Sequence, residues 1–144
     1  MQGNGSIDLA MFDTKTVADL GFDLDINDIR TGAPSGFRIR VLGIDSQPMQ
    51  DQMQRYQDQI MERLKQNARS SSTPEEIEAK SLERLLIATV GWSENTMLDG
   101  QPFPFSRDNA KKLYTDPRVP HIREQVERGI VNRVNFLRAN GSGS

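Results

Sequence analysis

Strict alternation between apolar and polar residues marks two short stretches near the start of the chain. They are FDLDIN at 22–27 and FRIRV at 37–41, with the turn-rich TGAPSG between them. Alternation with a period of two is typical of a strand with one buried face. Residues 21–43 are therefore predicted to form an antiparallel β-hairpin.

The two predicted strands also have a matching register. Pairing Ile26 with Phe37 keeps the apolar side chains on one face. The same register gives four further pairs: Asp25–Arg38, Leu24–Ile39, Asp23–Arg40 and Phe22–Val41. Opposite charges facing each other across strands stabilise a sheet by about 0.2–1 kcal/mol per pair. Because an isolated hairpin is marginal in water, its apolar face is expected to pack on a helix or to join a neighbouring sheet.

A helical period replaces the alternation in the next segment, where apolar residues recur at intervals of three or four. This period predicts a long helix over 46–69, with Ser46 as its N-cap and Pro48 in its first turn. The apolar residues fall within a stripe about 80° wide, and the opposite face is polar. Five residues form the stripe: Met49, Met53, Tyr56, Ile60 and Leu64.

This narrow stripe has two interpretations. It either covers the protein's own core or forms an adaptable surface that binds a helix of a partner or another copy of the chain. We treat its five residues as candidate partner-binding residues.

Two further segments carry helical patterns. Thr73-Pro74-Glu75-Glu76 is a strong helix start, and the following residues become increasingly apolar up to Gly91, which predicts a core helix. Asp116-Pro117 begins a later predicted helix. Its expected buried residues are Ile122, Val126, Ile130, Val134 and Leu137.

These elements indicate a single domain of the α+β class that is predominantly helical. It consists of an N-terminal β-hairpin, a long helix and a small C-terminal helical bundle, with a helical core predicted over 74–138. Residues 1–20 are expected to form a flexible arm and residues 139–144 a flexible tail. A chain of 144 residues fits one domain.

The stretch from Gly91 to Pro117 is dense in aromatic and turn-forming residues. Trp92 is expected to pack on the end of the core helix, with a partner for its indole N–H. Phe103 and Phe105 are predicted to anchor an extended segment, and Ser106 to cap a short helix. A packed corner between helices explains these residues better than a catalytic or ligand-binding loop does.

Charge is balanced overall but uneven along the chain. The net charge is −2, with six aspartates and one lysine from Asp8 to Asp28 and eight basic against four acidic residues from Arg107 to Arg138. We expect the two ends to attract each other within one chain or between copies, which would give a homo-oligomer. The C-terminal arginines recur every five residues and so spread around a helix, which argues against nucleic-acid binding.

The residue types that carry catalysis or bind metals form no recognisable motif. The chain has no cysteine and a single histidine, His121, which is expected to face solvent or to cap a helix. Phosphate-binding loops, nucleophile elbows and the common metal-binding patterns are missing. The sequence therefore predicts no enzymatic activity, no cofactor and no metal site. No apolar run approaches the roughly 18 residues that span a membrane, and no membrane partner is expected.

A longer pattern resembles a known family. The series V-G-W-S, L-D-G-Q-P-F-P-F-S-R-D-N-A-K-K-L-Y-T-D-P, I-R-E-Q-V and N-F-L follows P-S-G-F-R-I-R-V-L-G-I-D-S and a polar helix. This order resembles tail assembly chaperones of long-tailed bacteriophages and prophages over about 22–138. The most specific residues of the pattern are Trp92, Gly100, Pro102, Phe105, Ser106 and Asn109.

The resemblance implies a non-enzymatic protein of the host bacterial cytoplasm. Such chaperones coat the largely helical tape-measure protein, help recruit tail-tube subunits and are displaced before the particle is complete. The family supplies no catalytic residues. Two other classes stay open, namely a structural virion protein (a tail or head-completion subunit) and a small phage-encoded inhibitor of a host protein.

Overall fold

The described part of the chain contains a three-stranded antiparallel sheet, a two-stranded hairpin, six α-helices and a short 3₁₀ helix at Leu9–Phe12. The structure is a computed structural model that describes residues 5–66 and 72–140. Helices α1 to α6 span Lys15–Leu20, Gln47–Lys65, Pro74–Ala88, Arg107–Thr115, Pro120–Val131 and Arg133–Asn140. Strands β1 to β5 span Phe22–Asn27, Pro34–Val41, Thr89–Trp92, Met97–Leu98 and Gln101–Pro102. The predicted α+β class with predominant helix is confirmed.

Strands β1 and β2 form the predicted hairpin, and four of its five predicted pairs have the expected register. The two predicted ion pairs across the strands also form, with N–O distances of 2.9 and 3.5 Å. The fifth pair, Ile26 with Phe37, is wrong because the register shifts after Asp25, so that Asn27 lies opposite Pro34.

A third strand completes the sheet, and the sequence pattern did not predict it. Helix α3 ends at Ala88 rather than continuing to Gly91, and β3 pairs with β2 in the order β1-β2-β3. The β-branched side chains of Thr89 and Val90 suit a pleated strand. The predicted helical core over 74–138 therefore contains the strand that joins the hairpin.

The second half of the predicted flexible arm is instead a packed helix. Val17 and Ala18 of α1 are only 7% and 2% exposed, and α1 packs on α6. Gly43 lets Ala18 of α1 pack directly against the backbone after β2, because a Cβ at position 43 would lie only 2.7 Å from the Cβ of Ala18. Residues 1–4 lie outside the described residues.

Two other predicted boundaries also move. Helix α2 ends at Lys65, and the last residues of the predicted helix over 46–69 fall within 67–71, which lie outside the described residues. Helix α6 continues through Asn140, so the predicted tail over 139–144 is wrong in its first two positions, and residues 141–144 lie outside the described residues.

The last predicted helix is divided at Asn132 into α5 and α6. The break changes which side chains face the core. Val126 and Ile130 are buried as predicted, whereas Val134 is 48% exposed and Phe136, which the single-helix pattern omits, is 2% exposed.

The core lies between the inner face of the sheet and the helices α3 to α6. Its most buried large apolar residues are Ile39, Val41, Leu85, Val126, Ile130 and Phe136. Phe136 meets Phe22 edge-on, with ring centroids 4.7 Å apart. Met49, near the start of α2, is also buried in this core, so the first turn of α2 is fixed to the body of the protein.

Candidate partner-binding surface

Helices α2 and α3 form an antiparallel pair, which we call the helical hairpin, and their contact is mainly polar. The Gln52 amide donates hydrogen bonds of 3.1 Å both to the Lys80 carbonyl and to the Glu83 carboxylate. The Lys80 ammonium lies 3.4 Å from the centre of the Tyr56 ring. Only Met49 and Gln52 of α2 are buried, so most of this helix is not part of the core.

An ion pair between Arg63 and Glu76 joins the far end of the helical hairpin. The Thr73 backbone N–H and the Arg63 guanidinium, in that order, lower the pKa of Glu76. Arg63 and Glu76 point toward each other, so the side chain that follows each of them points about 100° away from the partner helix. Because the two helices are antiparallel, both of these rotations are toward the same side. Leu64 and Ile77 therefore share one side of the helical hairpin.

The same rotation places other apolar side chains on that side. Met53 follows the α3-facing Gln52, and Ile60 lies one turn before Leu64. We call this surface the apolar face, formed by Met53, Ile60, Leu64 and Ile77. Met53, Leu64 and Ile77 are 43%, 50% and 59% exposed, and Ile60 is half-buried.

The five predicted partner-binding residues therefore do not form one surface. Met49 is buried in the core. Tyr56 turns toward α3, where Lys80 covers its ring, and its hydroxyl is 2.7 Å from the hydroxyl of Ser72, which precedes α3. The other three lie on the apolar face. The sequence analysis did not include Ile77 in this surface, because it assigned the whole of that helix to the core. Ile77 follows Glu76 of the capping box directly, and this position in the first turn could have indicated that its side chain is exposed.

The opposite side of the helical hairpin is polar. It contains an open groove of about 440 Å³ whose lining includes Gln52, Arg55, Gln59, Ala79 and Glu83. Arg55 and Glu83 approach to 3.9 Å across this groove. The two sides thus differ in chemistry, and only the apolar face offers side chains that gain by being covered.

The aromatic corner between α3 and α4 is built around Trp92. Its indole stacks on Phe103 at 5.5 Å and meets Phe105 edge-on at 5.2 Å, and the indole N–H donates to the Phe103 carbonyl at 3.1 Å. Trp92 is the last residue of β3, rather than the residue that directly follows the core helix, and its side chain also packs against the core.

The other residues of the family pattern shape the same corner. Asp99 and Gly100 both have positive φ, 52° and 78°, as the two-residue turn between β4 and β5 requires, and Pro102 ends this small hairpin opposite Met97. The Ser106 hydroxyl accepts a 3.0 Å hydrogen bond from the Asn109 N–H and so caps α4.

Two more contacts complete the corner. The Asn109 amide donates to the Pro104 carbonyl at 2.8 Å. Tyr114 of α4 is buried with its hydroxyl 2.7 Å from that of Thr89, and burial raises the pKa of Tyr114 to about 12. The corner is thus held by contacts within the protein, as an element with a structural role would be.

An open apolar groove lies beside this corner. We call it the corner groove; it has a volume of about 430 Å³. Its apolar lining includes Phe37, Met97, Leu98, Leu113 and Ile122. Met97 is 56% exposed, while Leu113 is buried and belongs to α4.

Several charges at each end of the chain form ion pairs. Asp19, Asp23, Asp25 and Asp28 pair with Lys15, Arg40, Arg38 and Arg30. The hydrogen bonds from Arg30 lower the pKa of Asp28 to about 2. Near the other end, Arg118, Arg123 and Arg133 pair with Asp99, Glu78 and Asp45. In residues 5–66 and 72–140, no ion pair joins an aspartate between Asp8 and Asp28 to a lysine or arginine between Arg107 and Arg138.

The described residues contain no group of three or more His, Asp and Glu side chains that could hold a metal ion. His121 is half-buried at the start of α5. Among the described helices, none is both long and apolar enough to cross a lipid bilayer. Comparison with protein-family models, with curated proteins and with solved structures finds no match.

Proposed function

We propose that this chain is a tail assembly chaperone of a long-tailed bacteriophage or prophage. In this role it binds the helical tape-measure protein in the cytoplasm of the bacterial host and helps recruit tail-tube subunits, without catalysing a reaction. The sequence pattern between Trp92 and Asn109 supports the family, and one structural observation supports the mode of binding. That observation is the apolar face, which the helical hairpin holds away from the core.

The apolar face suits a helical partner for a geometric reason. Met53, Ile60 and Leu64 follow one another at intervals of seven and four residues, so they form a line along α2. A helix of the partner can lie along this line and place its own apolar residues between them. Methionine adapts to varied shapes, which suits a chaperone that meets many different segments of a long helical protein.

The small size of the face also suits a partner that is later released. A few half-exposed side chains bury much less area than the 1,200–2,000 Å² or so of a stable complex, so each contact is weak. Many copies bound along one tape-measure protein would together hold it firmly, while each copy would still dissociate by itself.

The test is co-expression with a neighbouring tape-measure gene, followed by measurement of how much tape-measure protein stays soluble and co-purifies. Met53→Asp with Leu64→Asp places two carboxylates on the apolar face, and we expect it to abolish co-purification. Gln54→Asp with Gln59→Asp adds the same charges elsewhere on α2 and is expected to retain it. Ile77→Asp should act like the first pair, because it lies on the same face but on α3.

Circular dichroism shows whether each variant is folded. A folded Met53→Asp/Leu64→Asp protein that still keeps the tape-measure protein soluble would refute this binding surface. Mass spectrometry of purified particles tests the role itself, since a chain found there in stoichiometric amount would be a structural virion protein instead.

A further inference from the structure

The turn that joins β1 to β2 exposes an apolar side chain next to a basic one. We call residues 28–33 the β-hairpin tip. Ile29 is 72% exposed, and the side chain of the following Arg30 is 84% exposed. An isoleucine this exposed contributes little to the protein's own core, and covering it with a partner would be favourable.

Arg30 is the charge that the β-hairpin tip presents to solvent. Its Nε and Nη2 donate hydrogen bonds of 3.1 and 2.9 Å to the Asp28 carboxylate, whereas its Nη1 donates none within the described residues. The Asp28 side chain is only 27% exposed, so the carboxylate lies closer to the body than the guanidinium does. The guanidinium therefore keeps a free donor that points outward.

The corner groove has the complementary chemistry. Glu94 is the one charged residue that lines it, and Glu94 is exposed and forms no ion pair in the part of the chain that the structure describes. The rest of the lining is mainly apolar, and Met97 is 56% exposed. An apolar side chain followed by a cation therefore matches this groove, and Ile29-Arg30 has that order.

The β-hairpin tip and the corner groove lie at the same end of the protein. Gly36 and Phe37, which follow the tip closely on β2, line the groove. The tip is also near the start of α5, because the charge of His121 acts on Asp28 and the next residue, Ile122, lines the groove. Since Ile29 is exposed, the tip does not enter the groove of its own copy.

We propose that the β-hairpin tip of one copy enters the corner groove of a second copy, and that the second copy does the same to the first. Ile29 covers Met97 and the apolar lining. Arg30 keeps its ion pair with Asp28 and directs its free Nη1 at Glu94 of the other copy. Because tip and groove adjoin at one end, a two-fold axis satisfies both contacts together, so the assembly closes at a dimer.

This dimer is separate from the proposed binding of a tape-measure protein. No residue of α2 or α3 lines the corner groove, so the apolar face stays free in the dimer. Two short turns bury less area than the 1,200–2,000 Å² or so of a stable complex, so the dimer is expected to be weak.

The first test measures the mass of the purified full-length protein by sedimentation velocity and light scattering, from dilute solution up to the limit of solubility. We expect the mass to rise from the 16.2 kDa of one chain toward twice that value and no further. A mass that stays at one chain, or that passes the dimer, would overturn the proposal. No tape-measure protein is present, so this result is independent of the proposed function.

The second test reverses the two charges. Glu94→Arg places two cations against each other across the contact, and Arg30→Glu places two carboxylates there. Each change alone should raise the dissociation constant of the dimer by about tenfold or more. The double variant restores opposite charges, and its dissociation constant should return to within about threefold of the original. A double variant that is no more dimeric than the two single variants would exclude the pair.

The third test concerns the apolar half of the contact. Ile29→Asp and Met97→Asp each place a carboxylate where apolar side chains are expected to meet, and each should give a monomer at concentrations where the unmodified chain dimerises. Both positions are exposed, so both variants are expected to fold, and circular dichroism checks this. If either variant is folded and dimerises like the unmodified chain, the contact is not the one proposed.

Two controls make the same chemical changes elsewhere. Met61→Asp alters a methionine on α2 that is 56% exposed, like Met97, and Lys111→Glu reverses an exposed charge on α4 that does not line the groove. Both should dimerise like the unmodified chain. Loss of the dimer in these controls would mean that any added negative charge prevents association, and the assignment to tip and groove would fail.

Discussion

The body of the protein and the helical hairpin use apolar residues in opposite ways. In the body, Ile39, Ile130 and Phe136 are at most 2% exposed, and they fill the space between the sheet and its helices. In the helical hairpin, polar side chains make the contact between the helices, while Met53, Leu64 and Ile77 are at least 43% exposed. Burial stabilises the body, whereas the helical hairpin has apolar surface left to bind a partner.

The difference shows how to distinguish a structural residue from a binding residue in this chain. Both regions have helices with apolar residues at helical spacing, so the pattern alone does not separate them. What separates them is whether another element covers the apolar residues.

The largest expected effect compares the same substitution at a residue of the core and at a residue of the apolar face. Leu85→Ala removes a fully buried side chain, and we expect it to lower the free energy of unfolding by about 2–5 kcal/mol. Leu64→Ala makes the same chemical change at a side chain that is 50% exposed, and it should cost less than about 1 kcal/mol. Urea denaturation of the two variants measures the difference. Equal losses would mean that the apolar face belongs to the core.

A smaller effect is expected for the polar contact of the helical hairpin. Gln52→Met keeps the size of a side chain that is 4% exposed but removes its hydrogen bonds to Lys80 and Glu83. We expect a loss of about 1–3 kcal/mol. The matched control is Gln59→Met, at an exposed position on the same helix, which should change stability by less than about 0.5 kcal/mol. If Gln52→Met is no less stable than the unmodified chain, polar pairing does not hold the two helices together.

The smallest effect concerns the link between the body and the helical hairpin. The Asp19 carboxylate of α1 accepts a 2.7 Å hydrogen bond from the Gln47 N–H in the first turn of α2. Asp19→Ala removes this cap, and we expect a loss of about 1 kcal/mol at neutral pH. Thermal unfolding at several pH values provides the measurement.

The loss should also depend on pH in a defined direction. The Lys15 ammonium and the Gln47 N–H lower the pKa of Asp19, so its contribution is present above the ordinary carboxyl pKa and is lost as the pH falls through the lowered value. The difference between the unmodified chain and Asp19→Ala should therefore shrink in acid. A difference that stays constant down to the lowest pH at which the protein is folded would exclude the carboxylate as the cause.

Local features of the fold could be predicted from the sequence where neighbouring residues determine them. The capping box of Thr73 and Glu76, the Ser106 cap and most of the β-hairpin register follow from residues close in sequence. Ser46 shows the limit of this approach. It occupies the predicted N-cap position of α2, but its buried hydroxyl has no hydrogen-bond partner among the described residues, and Asp19 supplies the cap instead.

The candidate surface was predictable only in part, for the same reason. A period of three or four residues identified the apolar stripe of α2, but it did not show that Tyr56 turns toward α3 or that Met49 enters the core. Nor could it show that Ile77 of another helix completes the apolar face. Each of these facts depends on how parts of the chain that are distant in sequence pack together.

The sequence by itself determined the α+β class, the β-hairpin with its cross-strand charges and the helix starts, because short-range spacing and side-chain chemistry fix these features. Only the tertiary structure decided that Thr89–Trp92 is a strand, that α1 is packed and that Asn132 divides the last two helices. It also decided which apolar residues are covered. Burial depends on contacts between residues far apart in the sequence, and periodicity shows that a face is apolar without showing what lies against it.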